Sequence, residues 1–274
     1  MILKDKIIVI YGAGGSLGAA IAKAFAKEGA HLFLTGRTLS NVQKVADEIT
    51  ASGGAVQVDE VDAMDEGAVA QHLEKVVKDF GGVDVSFNLI DLQVVQNLPL
   101  VDMTVDDFTR PGNIALRSHF ITATQTGRMM IKQGSGVILS LTATPGGIGY
   151  PFTAGFAPAC AAIESFYRNL AAELGIYGIR TVNIRSGGSP DSKVFSDAIK
   201  ANPEGMKTVL QTMENDTMLK TMPLTADIAN TAAFLASDLA GKITGVTVDV
   251  TCGTTAGLNY RAGGDKALRS RRIV

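Results

Sequence analysis

The sequence predicts one α/β domain built on a parallel sheet of about seven strands with helices on both faces, and three observations carry that reading. Apolar runs of strand length alternate with amphipathic helical stretches along the chain, a glycine-rich turn joins the first run to the first helix, and no Pro- or Ser-rich linker divides the 274 residues. That length suits a single domain with insertions.

The elements follow in order. Ile7 to Tyr11 reads as the first strand and Leu17 to Ala30 as a helix with one apolar stripe. HLFLTG is the second strand, and Ser40 is positioned to cap the helix after it. AVQVDEVD and VDVSFNLI are strands three and four, separated by the helix DEGAVAQHLEKVVKDFGG. Residues 98 to 134 read as a loop and a long helix, expected to be interrupted near Pro111. GVILSLTA and IRTVNIRSG are strands five and six, flanking a helix from about Thr153, and TGVTVDVTCG is the last strand. The domain is thus expected over residues 1–253, with a polar, methionine-rich insertion at 189–224 shaped for a lid. Residues 254–274 form a basic tail, read as an exposed terminus or a flap or subunit contact.

Composition narrows the partners. Hydrophobic residues make up 46% and charged residues 19%, and the net charge of -2 offers no pull toward nucleic acid or an anionic membrane. The N-terminal apolar run is too short for a signal peptide or a membrane span, and two cysteines make no disulfide framework. A cytoplasmic protein with a small-molecule substrate is expected. The three histidines are too scattered for a metal site, and His119 reads as a surface or interface residue.

YGAGGSLG carries the first functional signal. A dinucleotide loop needs glycines where the backbone turns tightly against a pyrophosphate, followed by a helix N-terminus whose free N–H groups favour an anion. Gly12, Gly14, Gly15, Ser16, Leu17 and Gly18 lie between strand and helix as that chemistry requires. Strand two ends in Gly36 and Arg37, so no carboxylate repels a 2′-phosphate and a guanidinium stands ready to bind one. NADP(H) is therefore expected in preference to NAD(H), with a merely solvated Arg37 as the other reading.

These motifs resemble the short-chain dehydrogenase/reductase family from Lys6 to about Gly253. GAGGSLG is similar to its glycine loop, Asp62 to its adenine-side aspartate, Asn88 to the first asparagine after its fourth strand, and Asn113 to its helix-four asparagine that holds a proton-relay water. GVILSLTATPGG and LAAELGIYGIRTVNI resemble its fifth strand and the approach to its sixth. The resemblance implies a Rossmann-type doubly wound sheet, a nicotinamide cofactor and a homodimer or homotetramer. It also implies a serine, tyrosine and lysine that protonate the alkoxide as hydride arrives, the lysine making an ordinary phenol competent near neutral pH.

Here the sequence departs from the pattern. The serine position falls on Ala143, the tyrosine position on Phe156 and the lysine position on Cys160. The wider spacing of enoyl-carrier-protein reductases places its columns on Thr153 and again Cys160. Where Pro-Gly commonly follows strand six stand Gly187 and Gly188, with Ser192 four residues on able to bind a carboxamide. Tyr150 is the nearest phenol and the candidate acid, Thr142 and Thr144 flank the lost serine with one expected to face away, and Asp91 is either a base or a local cap. Cys160 lacks a partner to make it a thiolate and reads as a small buried helix residue. Methionines 206, 213, 218 and 222 either wall a pocket or merely pack. Two functions remain open: an atypical NADPH-dependent oxidoreductase acting on an activated carbonyl or enone, or a non-catalytic cofactor-binding regulator or inert partner subunit.

Overall fold

The structure is a computed structural model that describes residues 1–256; the greater part of the predicted tail, 257–274, lies outside the described residues. Seven parallel strands form one sheet in the order β3-β2-β1-β4-β5-β6-β7, as the sequence leads one to expect. They are β1 (Ile7–Tyr11), β2 (His31–Gly36), β3 (Ala55–Glu60), β4 (Val85–Asn88), β5 (Gly136–Ala143), β6 (Ile179–Ser186) and β7 (Thr247–Val250). The helices are α1 (Ser16–Lys27), α2 (Leu39–Ala51), α3 (Glu66–Phe80), α4 (Val105–Gln133), α5 (Phe156–Leu174), α6 (Lys193–Ala201), α7 (Pro203–Asp216) and α8 (Thr225–Ala236). None among the described residues is long and apolar enough to cross a membrane.

Strand alternation splits the core in two. β1 sends Ile8 and Ile10 toward α1, α2 and α8, and Val9 and Tyr11 toward α3, α4 and α5. Both faces are buried, which is why the strands read as continuous apolar runs rather than alternating ones. Strand order reverses at β1, whose neighbours are β2 and β4, so the segments leaving β1 and β4 diverge and open a crevice between them.

Two local expectations are corrected. Pro111 does not interrupt α4, which runs through it for 29 residues. Its missing N–H forfeits one helical bond, but the helix is anchored before it by the Thr104 cap on Asp107 and by the Asp107–Arg110 pair, and after it by the buried Ala115, Ser118 and Thr122. Ser40 does not cap α2, whose N-cap residue is Thr38 and which has no side-chain cap bond. The 189–224 segment folds as the helical hairpin α6–α7.

Candidate functional site

A cleft of about 540 Å³ opens at the crevice, bordered by Gly12, Gly14, Gly15, Arg37, Asp62 and Asp91 among others. Its floor exists because of missing side chains. Gly12 has φ +81°, and a Cβ there would lie 2.6 Å from the Leu89 carbonyl oxygen, so the loop and the end of β4 touch backbone to backbone. A Cβ on Gly18 would lie 2.8 Å from the Gly12 oxygen, which seals α1 against its own loop. Gly15, by contrast, faces open space and leads into the uncapped N-terminus of α1. That combination of cradle, orphan N–H groups and neighbouring cation fits a dinucleotide.

Arg37 is exposed at the rim and makes no ion pair or side-chain hydrogen bond among the described residues. Asp62 is also at the rim, with Oδ1 accepting the Met64 N–H at 2.9 Å. Leu17 packs against the core, and Ser16 Oγ accepts the Lys193 N–H at 2.8 Å. Asn88 is corrected in role. Its Nδ2 donates to Thr122 Oγ1 at 3.0 Å and its Oδ1 accepts the Ile90 N–H at 3.0 Å, so it is buried and shapes the turn that carries Leu89 to Asp91 instead of facing the cleft. Asp91 lines the cleft and caps locally, accepting the Gln93 N–H at 3.1 Å.

On the far side of the sheet edge a second cavity, of about 30 Å³, is bordered by Thr144, Tyr150, Gly188, Met213, Asp216 and Met222 among others. Met213 and Met222 thus wall a pocket, whereas Met218 is exposed. Burial raises the Tyr150 phenol above its ordinary value and the nearby Asp216 carboxylate adds to that, so this hydroxyl holds its proton. Thr144 faces the same cavity, its Oγ1 donating to the Ser186 carbonyl at 3.3 Å, while Thr142 turns away to Glu164 at 2.9 Å. Gly188 lines the cavity; Ser192, at the N-cap of α6, borders neither space.

Ala143 ends β5, Phe156 opens α5, and Cys160 follows one turn later. Cys160 is buried as expected, and burial pushes its thiol up to about 11. Asn113 is corrected: it is exposed on α4, two residues or about 200° round the helix from Ala115, which is fully buried. It borders neither cavity, whereas Tyr150 lines the smaller one. His119 is corrected as well. It is buried, Nδ1 lies 3.1 Å from the Tyr167 hydroxyl, and desolvation lowers its imidazole to about 3. Tyr167, the phenol of α5, is buried against His119 and the Leu139 carbonyl and reaches neither cavity.

Sequence reading missed the charged cluster under the β5–α5 turn. Arg185 on β6 pairs with Glu164 on α5 and Asp249 on β7. Thr142, Arg185 and Asp249 share one register row and therefore one face of the sheet. An arginine inside the apolar strand TVNIRSG was the available signal, since a charge there requires a buried partner.

Comparison with known proteins agrees with this architecture. The family described as Enoyl-(Acyl carrier protein) reductase matches residues 12–255. Levodione reductase of Leifsonia aquatica is 30% identical over 255 residues, covering 92% of this chain and 95% of that protein. The 2,3-dihydro-2,3-dihydroxybenzoate dehydrogenase of Bacillus subtilis (strain 168) is 25% identical over 260 residues, covering 93% and 98%. The solved structure of NAD+-bound xylitol dehydrogenase superposes with a TM-score of 0.85 at 26% identity, covering 92% of this chain and 100% of the other. Because the match spans the glycine loop, every strand after β1 and the turn beyond β7, the chain belongs to the short-chain dehydrogenase/reductase family, a family of nicotinamide-binding oxidoreductases.

Proposed function

We propose that this protein is an NADP(H)-dependent oxidoreductase that reduces an activated carbonyl or enone without the usual tyrosine–lysine acid. The observation that carries the cofactor half is Arg37, a guanidinium without a side-chain partner among the described residues at the rim of the large cleft, where a carboxylate would mark an NAD(H) site. In this reading the glycine loop and the start of α1 hold the pyrophosphate, Arg37 the 2′-phosphate and Asp62 the adenine side. A nicotinamide cofactor held there would supply hydride to the acceptor.

The chain's own residues then limit the chemistry. Ala143, Phe156 and Cys160 offer no hydrogen bond, proton or cation at the positions the family resemblance assigns to them. Tyr150, raised by burial and by Asp216, is able to donate a proton but is poorly suited to act as a base. An acceptor that is already electrophilic needs less help from an acid, which favours enones and quinones over simple ketones. Two unpaired cysteines suit a reducing, cytoplasmic setting, and a homodimer or homotetramer accords with the family.

A second reading, a non-catalytic cofactor-binding regulator or inert partner subunit, is favoured by the small size of the cavity beside Tyr150, about 30 Å³. NADPH oxidation assayed against cyclic enones and quinones separates the two. The oxidoreductase predicts turnover that Tyr150→Phe reduces at least tenfold, and the second reading predicts NADPH binding with no acceptor consumed.

A further inference from the structure

The lid and the phosphate loop meet through one hydrogen bond between residues 177 positions apart, in which the Lys193 N–H donates to Ser16 Oγ at 2.8 Å. Lys193 is the first residue of α6, where a backbone N–H has no helical acceptor, and Ser192 before it makes no side-chain cap bond. Ser16 therefore caps a helix that belongs to another part of the chain. A hydroxyl carries one proton and two acceptor lone pairs, and among the described residues Ser16 donates to no acceptor. Its O–H is free, next to the open face of Gly15.

The remainder of the lid is held loosely. Neither α6 nor α7 contains a fully buried residue, whereas α5 buries seven. Its two stems are tied by Asp191, which accepts the Thr225 N–H at 3.0 Å and the Thr225 hydroxyl at 2.6 Å. Beyond that clamp the lid seats on Gly188, where an added Cβ would lie 2.7 Å from Met213 Cε, 2.7 Å from Phe195 Cζ and 3.0 Å from Met222 Cε. Those side chains leave about 30 Å³ on this side of the site, against about 540 Å³ on the glycine-loop side. A seated lid therefore admits the adenosine and phosphates of a dinucleotide but not its second ring. A segment with so few buried contacts is the low-stability part that can open.

We propose that Ser16 is a positioning residue that latches the lid to the phosphate loop, holding α6 through the Lys193 N–H while presenting its own O–H to a phosphate oxygen of the nucleotide. The proposal rests on the dinucleotide reading of the cleft. The far part of the lid, around Met213 and Met222, swings aside to admit the second ring while the first turn of α6 stays on Ser16. Because a hydroxyl that accepts one hydrogen bond donates the other more strongly, phosphate binding and lid seating reinforce each other.

Lys193→Pro tests this cleanly. It deletes the latching N–H together with the exposed Asp197 pair, proline is favoured at a first helical position, and Ser192 already has the extended φ -76°, ψ 157° that a following proline demands. Lys193→Ala keeps the N–H and removes only the exposed pair with Asp197, so it is the control. In ligand-free protein, hydrogen exchange over 193–216 should quicken about fivefold in Lys193→Pro and stay unchanged in Lys193→Ala. Stopped-flow dissociation of NADPH should quicken by a similar factor of about five, while the Kd of 2′,5′-ADP, which lacks both pyrophosphate and nicotinamide, stays within about twofold. Ser16→Ala, removing the acceptor, should loosen the lid in the same way and keeps the test decisive if the proline variant fails to fold. Lid exchange in Lys193→Pro or Ser16→Ala equal to that of the control overturns the latch. Loosened exchange with unchanged NADPH dissociation overturns the coupling. Wild-type protein that binds neither NADPH nor 2′,5′-ADP sinks the cofactor reading, and the ligand-free exchange still decides the latch.

Discussion

Arg185 and Glu164 form a two-pronged ion pair beneath the β5–α5 turn, with Nε donating to Oε1 at 3.0 Å and Nη2 to Oε2 at 2.5 Å. Both side chains are nearly buried, at 13% and 10% exposure, and Asp249 completes the set from the sheet edge. The turn lies directly on the pair, since a Cβ on Gly147 would sit 2.7 Å from Arg185 Cζ and one on Gly146 would sit 2.5 Å from Glu164 Oε1. Removing Glu164 leaves the largely buried Arg185 guanidinium held by the more exposed Asp249, so Glu164→Ala should cost up to about 3 kcal/mol in urea unfolding. Glu164→Leu combined with Arg185→Met should recover most of that loss, because a packed apolar pair avoids the desolvation the ions incur.

Acid should destabilise this fold from near pH 6.5 downward, and His119 is a main reason. Its folded-state value is about 3, lowered by burial from an ordinary 6.5, so between those two the unfolded chain binds a proton that the folded chain refuses. Stability from this group is complete above about pH 6.5 and is lost as the pH falls toward 3. His72 is lowered by burial as well, opposed by Asp59, and acts in the same direction. Urea midpoints measured from pH 7 to pH 4 should fall steeply for the wild type and less steeply for His119→Gln.

Two neighbouring glycines should behave oppositely when changed to alanine. Gly12→Ala meets both a left-handed φ of +81° and the Leu89 carbonyl at 2.6 Å, and should cost at least about 2 kcal/mol of stability and abolish nucleotide binding. Gly15→Ala has an ordinary φ of -83° and open space, so the fold should be unchanged within about 0.5 kcal/mol while the added methyl weakens pyrophosphate binding. Urea unfolding and a nucleotide titration on the same two variants separate these outcomes.

The two thiols should differ in reactivity. Cys160 is 1% exposed with its thiol pushed to about 11 by burial, whereas Cys252 is only partly covered. A thiol-exchange reagent at pH 8 should titrate one group rapidly in the native protein and both in guanidinium. Rapid reaction of Cys160 would mean that α5 opens locally or that this cysteine is activated.

The sheet and the glycine loop were legible in the sequence because both are written locally, the strands as apolar runs and the loop as glycines between a strand and a helix. The positions of Arg37 and Asp62 at the rim of the cleft were legible for the same reason, since each closes a strand or lies just beyond one. What failed depended on facing and on distance. Asn113 and Ala115 are two residues apart, and only helix packing reveals that the alanine points inward. Pro111 continues its helix because contacts on either side hold it, and His119 is buried because Tyr167, 48 residues later, covers it. The Glu164–Arg185–Asp249 cluster and the Ser16–Lys193 bond join residues whose only relation is through the folded sheet.

NADP(H) binding in the cleft beside Arg37 is read most directly from a nicotinamide fluorescence titration of the wild type and Arg37→Ala with NADPH and NADH. NADPH should bind more tightly than NADH, weakened about 10-fold to 100-fold in the variant through loss of a charge-assisted pair, with NADH binding almost unchanged. Equal affinity for the two cofactors, or an Arg37→Ala variant that binds NADPH as the wild type does, would contradict the NADP(H) reading.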